Sequence, residues 1–210
     1  MRVLGIDPGT QKLGYGIVQL SGTRARRILS GVLEPPPGPL SERLAFLFEG
    51  LEAVVASGRP DVVAVEALFY ARNVQSALTL GHARGVALLV AGRAKLAVHA
   101  YPPAVVKKAV VGHGRAEKHQ VQRMIRALLA LDAEPSPDEA DALAIALCHG
   151  QRARFAESEL RSAAPDRQRE KAAPVAPIRM AKRTGTRVVA AAELSALLAH
   201  SARAPRGRKR

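Results

Sequence analysis

The chain has 210 residues, with 32 Lys+Arg against 18 Asp+Glu and a formal net charge of +14. Its length allows one domain with a well-formed core plus an extension, and it excludes two large domains. The single cysteine, Cys148, excludes a disulfide framework and a cysteine zinc site, and no apolar run approaches the ~18–20 residues of a membrane span, so we expect a soluble, basic, cytoplasmic protein.

The N-terminal third is predicted to form strands joined by turns. Val3 to Asp7 is a short apolar strand that ends at a Pro-Gly turn, and Tyr15 to Leu20 and Ile28 to Leu33 are the next two strands. A proline-rich run over residues 35–39 then excludes regular structure. A helix is predicted to follow, with Ser41 as its N-cap, because leucines and a valine recur at helical spacing from Leu44 to Val54.

The middle of the chain alternates strands with helices. Val62 to Glu66 is an almost wholly apolar strand, typical of a parallel strand buried on both faces, and Gln75 to Lys95 is a predicted helix. A strand at Leu96–Ala100 and helices near Ala116–Leu131 and Pro137–His149 complete the pattern. It predicts an α/β fold with a mixed five-stranded sheet flanked by helices on both faces.

The charge is distributed unevenly along the chain. Residues 1–150 have a net charge of +4 and residues 151–210 a net charge of +10. The second segment is rich in Ala, Pro, Arg and Lys, so we expect a 1–150 domain and a basic, largely disordered C-terminal tail at 151–210. Such a tail either meets a polyanion or only aids solubility.

Two carboxylates interrupt apolar sequence at strand ends. Asp7 and Glu66 each leave a core strand at its C-terminal end, the edge where open α/β sheets place their sites. A single strand-end aspartate is more often a turn former than a catalyst. Two such strand ends weaken that interpretation without removing it.

Two more carboxylates lie at the start of the last helix. Asp138 and Asp141 are three residues apart and share one face of its first turn, where Ser136 and Glu139 fit a capping box. Helix-dipole complementarity explains Asp138 alone, but it explains poorly why Asp141 interrupts an Ala-rich, buried helix.

If these four carboxylates converge, they repel one another unless a hard cation neutralises them. Oxygen ligands without His or Cys favour Mg²⁺ or Mn²⁺ over zinc. On a basic protein, such a cluster suits two-metal hydrolysis of a phosphodiester.

Several blocks of this sequence resemble one known family. They are Gly5-Ile6-Asp7-Pro8-Gly9-Thr10, Gly14-Tyr15-Gly16, Val65-Glu66, Gly81-His82-Ala83-Arg84-Gly85-Val86, Val110-Val111-Gly112, Ala116-Glu117-Lys118 and residues 138–146, which begin Asp138-Glu139-Ala140-Asp141. In this order and spacing they resemble the bacterial RuvC family, crossover junction endodeoxyribonucleases (Holliday junction resolvases) with an RNase H-like fold. The resemblance runs from Met1 to about His149 and does not extend to the tail.

The resemblance implies a function in DNA recombination and repair. Asp7, Glu66, Asp138 and Asp141 would be the metal-binding catalytic acids, with two Mg²⁺ per site and Mn²⁺ as a substitute. A homodimer would bind a four-way DNA junction and nick two strands of like polarity symmetrically, leaving 5′-phosphate and 3′-hydroxyl ends. The branch-migration complex of RuvA and RuvB would be a partner.

Aromatic and basic residues near the acids are candidate DNA contacts. Phe69 and Tyr70 follow Glu66, and aromatics in such a loop either stack on an unpaired base or belong to the core. Four cations flank the turn at residues 112–114 and either position phosphates or form a solvated face: Lys107, Lys108, Arg115 and Lys118. The resemblance assigns Phe69 to junction probing and Lys107 and Lys118 to phosphate binding.

Three alternatives stay open at this point. Gly81 and Gly85 would let a second helix approach the helix predicted at 75–95, either within the chain or, as the resemblance implies, in a dimer. A junction-binding protein without catalysis would share the fold. An actin-like ATPase shares the Asp-Pro-Gly-Thr turn, but one core of ~150 residues is too small for its two lobes.

Overall fold

A computed structural model of the protein describes residues 1–67 and 74–163, all of which belong to one compact unit. The strands are β1 (Arg2–Asp7), β2 (Leu13–Ser21), β3 (Arg24–Leu33), β4 (Val62–Glu66) and β5 (Ala97–Tyr101). The helices are α1 (Leu40–Gly58), α2 (Val74–Arg93), α3 (Pro103–Val111), α4 (Lys118–Leu128) and α5 (Pro137–Ala163).

The five strands form one mixed sheet in the order β3-β2-β1-β4-β5. β1 pairs antiparallel with β2, and β2 with β3, whereas β4 lies parallel to both β1 and β5. The sheet confirms the predicted fold class. The apolar strand β4 is central and buried as expected, because helices cover both of its faces.

Two apolar cores lie on opposite faces of the sheet. One side of the sheet packs on α1 and α2, with Leu47 and Leu51 of α1 fully buried. The other side packs on α3, α4 and α5, with Leu143 of α5 and Ile125 of α4 fully buried. No helix within the described ranges combines the length and the apolar content that crossing a bilayer requires.

Three local predictions differ from the structure. α1 begins at Leu40 with Pro39 at its N-cap, so Ser41 is not the cap. The helix α3 was not predicted, because the prolines that mark its start, Pro102 and Pro103, resemble a break. α5 continues past His149 to Ala163, so the predicted helix was too short at its C-terminal end.

Candidate active site

Asp7 and Glu66 lie side by side at one edge of the sheet. They end the neighbouring parallel strands β1 and β4. Because side chains alternate between the two faces of a strand, Asp7 shares the face of Gly5, against which α5 packs, and Glu66 shares the face of Ala64 in the α5-side core. Both carboxylates therefore lie on the side of the sheet that α5 covers.

Two glycines let α5 bring its acids to this edge. Gly14 is paired with Asp7 in the sheet, and a Cβ atom on Gly14 would collide with the carbonyl oxygen of Asp138. A Cβ atom on Gly5 would collide with the carbonyl oxygen of Ala142 one turn later. Only glycine permits this approach of helix backbone to strand backbone, which places the first turn of α5 beside Asp7.

The first turn of α5 is also held from β3. The hydroxyl of Ser30 donates a hydrogen bond to Oε1 of Glu139 at 2.6 Å, and a guanidinium nitrogen of Arg27 lies 3.7 Å from the same oxygen. The predicted capping role of Glu139 is therefore wrong, since its carboxylate contacts β3 instead. Glu139 points away from Asp138 and Asp141, and its contacts fix the turn that carries them.

The turn after Asp7 is anchored to α1. Thr10 is buried, and the guanidinium of Arg43 donates to its carbonyl oxygen at 2.6 and 3.0 Å and to its hydroxyl at 2.7 Å. Three charge-assisted hydrogen bonds restrict this turn strongly. This contact joins residues 33 positions apart, so no local sequence pattern predicts it.

The carboxylates perturb one another's ionisation. Burial raises the pKa of Asp7 to about 7, and the charges of Glu66, Asp141 and Asp138 contribute to the increase. Burial also raises the pKa of Glu66, with a contribution from Asp141, and the pKa of Asp141, with a contribution from Asp138. The four predicted acids thus lie close enough to form one electrostatic unit, which we call the acid cluster.

Two lysines face the acid cluster. The charge of Lys118, at the start of α4, lowers the pKa of Asp7, Glu66 and Asp141. Lys107 of α3 lowers the pKa of the latter two, and its ammonium donates a hydrogen bond to the carbonyl oxygen of Ala116 at 2.8 Å. These cations oppose the burial and repulsion of the carboxylates without cancelling them, because all three pKa values stay raised.

The donor set fits a hard divalent cation. Its ligands would be carboxylate oxygens alone, and a bound cation would relieve the repulsion that raises their pKa values. Within the described residues, no group of three or more His, Cys, Asp or Glu side chains is arranged to hold a metal ion by itself. Mg²⁺ commonly takes only one or two carboxylates and completes its shell with water and substrate phosphate, so an open cluster suits it.

Two further predicted DNA contacts, Lys108 and Arg115, are not part of the acid cluster. Lys108 lines a cavity beside α3, and Arg115 is exposed in the turn before α4. Phe69 and Tyr70 lie outside the described residues. Of the four predicted contacts that the structure describes, Lys107 and Lys118 are the ones whose charge acts on the acids.

Known proteins resemble this chain over the same region. The family model described as "Crossover junction endodeoxyribonuclease RuvC" matches residues 3–149. A protein of that name from Heliobacterium modesticaldum is 54% identical over 150 residues, covering 70% of this chain and 93% of its own length. One from Sorangium cellulosum is 49% identical over 166 residues, covering 79% and 93%. The solved structure "T. thermophilus RuvC in complex with Holliday junction substrate" matches with a TM-score of 0.70 and 40% identity, covering 74% of this chain and 96% of that one.

Proposed function

This chain belongs to the RuvC family of crossover junction endodeoxyribonucleases, and we propose that Asp7, Glu66, Asp138 and Asp141 form the centre at which it cuts DNA. The chain is a Holliday junction resolvase, an endonuclease that hydrolyses phosphodiester bonds. The observation that supports the proposed centre is a group of half-buried carboxylates at one sheet edge, where the charges of neighbouring acids raise the pKa values of Asp7, Glu66 and Asp141 and two lysines oppose the increase.

The chemistry of the proposed centre follows from its charge. Nucleases of the RuvC family depend on divalent metal ions; we propose two Mg²⁺ per centre, with Mn²⁺ as a substitute. Bound there, such ions would supply an activated water and would stabilise negative charge on the leaving 3′-oxygen. Asp7 and Glu66 would hold them from the sheet, and Asp138 and Asp141 from the helix, so the substrate phosphate completes a site built from rigid elements.

The two lysines would position the substrate strand. Lys107 and Lys118 lie close enough to the carboxylates to change their pKa values, so a phosphate held by these ammonium groups would lie beside the acid cluster. Their charge would also stabilise the transition state as negative charge develops. Phe69 and Tyr70 stay predicted stacking residues.

We further propose that the enzyme works as a homodimer through α2. Leu78 and Leu89 are 54% and 56% exposed on this helix, and no described atom lies within 4 Å of a Cβ built on Gly81 or Gly85 between them. This apolar stripe of small and large residues is open to a second helix, and a C2 dimer would present two centres to one junction. Leu89→Glu should convert the dimer to a monomer in light scattering, whereas Leu128→Glu, a matched change at an exposed leucine of α4, should not.

The junction assay tests the proposed function directly. The purified protein is incubated with Mg²⁺ and either a synthetic four-way junction or a duplex of matched sequence. We expect paired, symmetrical nicks on the junction alone, sealed afterwards by DNA ligase because the ends are 5′-phosphate and 3′-hydroxyl. Binding without cleavage would indicate a non-catalytic junction-binding protein, and equal cleavage of the duplex would contradict junction specificity.

The cellular setting is also a proposal. We infer that the enzyme acts in the bacterial cytoplasm on junctions carried by the branch-migration complex of RuvA and RuvB. Comparing cleavage of free and RuvA–RuvB-bound junctions tests this partnership.

A further inference from the structure

A large cavity lies away from the acid cluster, between α3 and the C-terminal half of α5. Its volume is about 1030 Å³, just above the ~300–1,000 Å³ typical of ligand sites. Its polar and aromatic lining includes His99, Tyr101, Lys108, His149, Arg152 and Phe155. The cavity exists because α5 continues beyond Gly150. The sequence did not predict it, because we expected a domain that ends at residue 150.

The walls of this cavity are tied together. The hydroxyl of Tyr101 and Nδ1 of His149 share a buried hydrogen bond of 2.8 Å, and the rings of His99 and His149 lie 4.7 Å apart. Across from them, the side-chain amide of Gln151 donates to the carbonyl oxygen of Ala109 at 3.0 Å, which joins α5 to α3. The cavity is therefore a built feature of the fold and not a gap between independent elements.

The charge of the lining selects an anionic occupant. Lys108 and Arg152 are both exposed, and the guanidinium of Arg152 lies 6.0 Å from the centre of the Tyr101 ring, where the ring face favours a cation. Glu159 is the one acidic side chain among the described lining residues.

An exposed aromatic ring narrows the chemistry further. Phe155 is 69% exposed beside these cations. An aromatic face next to a basic groove is the combination that binds nucleic acid strands, because phosphates meet the cations while a base or sugar covers the ring. The carboxylates of an acidic peptide would pair with Lys108 and Arg152, but they would not stack on the ring of Phe155.

The helix α3 links the cavity to the acid cluster. Lys107 of this helix acts on the carboxylates, whereas the next residue, Lys108, lines the cavity. Gly114 at the cavity rim precedes the exposed Arg115 and lies in the connection that leads to Lys118. Cationic side chains thus continue from the cutting centre along α3 to Arg152.

We propose that this cavity is a second DNA site, which holds the phosphodiester backbone of the junction beyond the cut strand, with Lys108 and Arg152 on phosphates and Phe155 against a base or sugar. The inference rests on the proposed function, since it takes DNA to be the substrate. It adds a site distant from the cut, one that contributes to affinity and not to the chemical step.

A fluorescent reporter tests the site directly. The chain has no tryptophan, so Phe155→Trp places a single indole at the cavity. The matched control is Phe46→Trp, at a 41% exposed phenylalanine of α1 on the opposite face of the sheet. In metal-free buffer, saturating junction DNA should change the fluorescence of the first variant and leave the control unchanged. No change in the first, or equal changes in both, would overturn the proposal.

The salt dependence of binding provides a second test. Each phosphate contact adds ~0.9 to the slope of log K against log [salt], so Lys108→Ala/Arg152→Ala should make that slope shallower by about 1.8. Arg24→Ala/Arg26→Ala, which removes the same charge from exposed positions of β3, should leave the slope unchanged. Equal slopes for the two double variants would contradict the second site.

Junction cleavage by the wild-type protein distinguishes failure of the second DNA site from failure of the proposed function. If the wild type cuts the junction but neither cavity test responds, the second DNA site is wrong and the proposed function stands. If the wild type neither binds nor cuts the junction, the proposed function fails first.

Discussion

The two ends of α5 carry opposite chemistry. Its first turn holds Asp138 and Asp141 against the sheet, where glycines bring backbones together and carboxylates perturb one another. Its C-terminal half holds Arg152 and Phe155 at an open, cationic cavity. The difference indicates a division of labour, because partly buried like charges store an electrostatic cost that a cation relieves, whereas exposed charges supply salt-sensitive affinity.

The largest effect on cleavage should come from neutralising a carboxylate of the acid cluster, beside the first turn of α5. Asp7→Asn removes a carboxylate from the proposed metal centre and leaves the cationic end intact. Cleavage should fall by at least about 10³-fold, equivalent to ~4 kcal/mol, while junction affinity changes by less than about threefold. Single-turnover cleavage and gel-shift binding measure the two quantities. A variant that cuts at the wild-type rate would contradict the assignment of Asp7.

A smaller loss of cleavage should follow from displacing the first turn of α5, which carries Asp138 and Asp141, without changing its charge. Gly14→Ala introduces a Cβ atom where the backbone of Asp138 lies, so the first turn of α5 must move away from Asp7. A shift of about 1 Å is expected to reduce cleavage by roughly 10²-fold, with a loss of ~1–3 kcal/mol in unfolding free energy. Gly22→Ala, which has open space at a surface turn but a positive φ, controls for loss of glycine alone.

In the Gly14→Ala variant, the Phe155→Trp reporter should still respond to DNA. Loss of both cleavage and the reporter response would mean that the two ends of α5 do not act separately. Wild-type cleavage would mean that the close approach at Gly14 is unimportant to the centre.

The electrostatic cost of the acid end should appear as a pH dependence of stability. The pKa of Asp7 is raised in the folded state from 3.8 to about 7, so the folded protein binds a proton more readily than the unfolded chain between these values. In EDTA, the unfolding free energy should therefore fall as pH rises through this window, by at most about 4 kcal/mol from Asp7. Glu66 and Asp141 shift in the same direction and add to the fall.

Urea unfolding at pH 5 and pH 8 measures this effect. Asp7→Asn should be more stable than the wild type, by a larger margin at pH 8 than at pH 5, and Mg²⁺ should stabilise the wild type more at pH 8. Equal wild-type stability at the two pH values would contradict the buried carboxylate cluster.

The smallest effect on DNA binding should come from removing the basic segment that follows α5. Residues 164–210 contain 12 Lys+Arg and 3 Asp+Glu, and we propose that they add sequence-independent DNA affinity. Ending the chain after Ala163 keeps α5 whole and should make the salt dependence of duplex binding shallower without altering the cleavage rate at saturating junction. An unchanged slope would leave this segment as a solubility tail.

The sequence predicted the strands, and with them the position of two of the acids, better than it predicted the helices. Asp7 and Glu66 could be found because each ends a run of buried residues, which places it at a sheet edge. α3 could not, because Pro102-Pro103 resembles a break although the second proline stands at a helix start. Its spacing of Val106 and Val110, both buried, was the available signal.

Long-range contacts were the other source of error. The extension of α5 to Ala163 depends on helix-forming Ala, Arg and Glu residues and on the bond from Gln151 to α3, so a scarcity of large apolar residues did not indicate disorder there. The contact between Ser30 and Glu139 joins residues 109 positions apart, which no local pattern reveals. The two glycine contacts under α5 depend likewise on tertiary packing.

Crystals of the protein soaked in Mn²⁺ offer the most direct test, since anomalous scattering locates the ions without reference to activity. We predict two peaks ~4 Å apart within coordination distance of Asp7, Glu66, Asp138 and Asp141, and their loss in Asp7→Asn. Peaks elsewhere, or none at an Mn²⁺ concentration that supports junction cleavage, would contradict the acid cluster as the cutting centre.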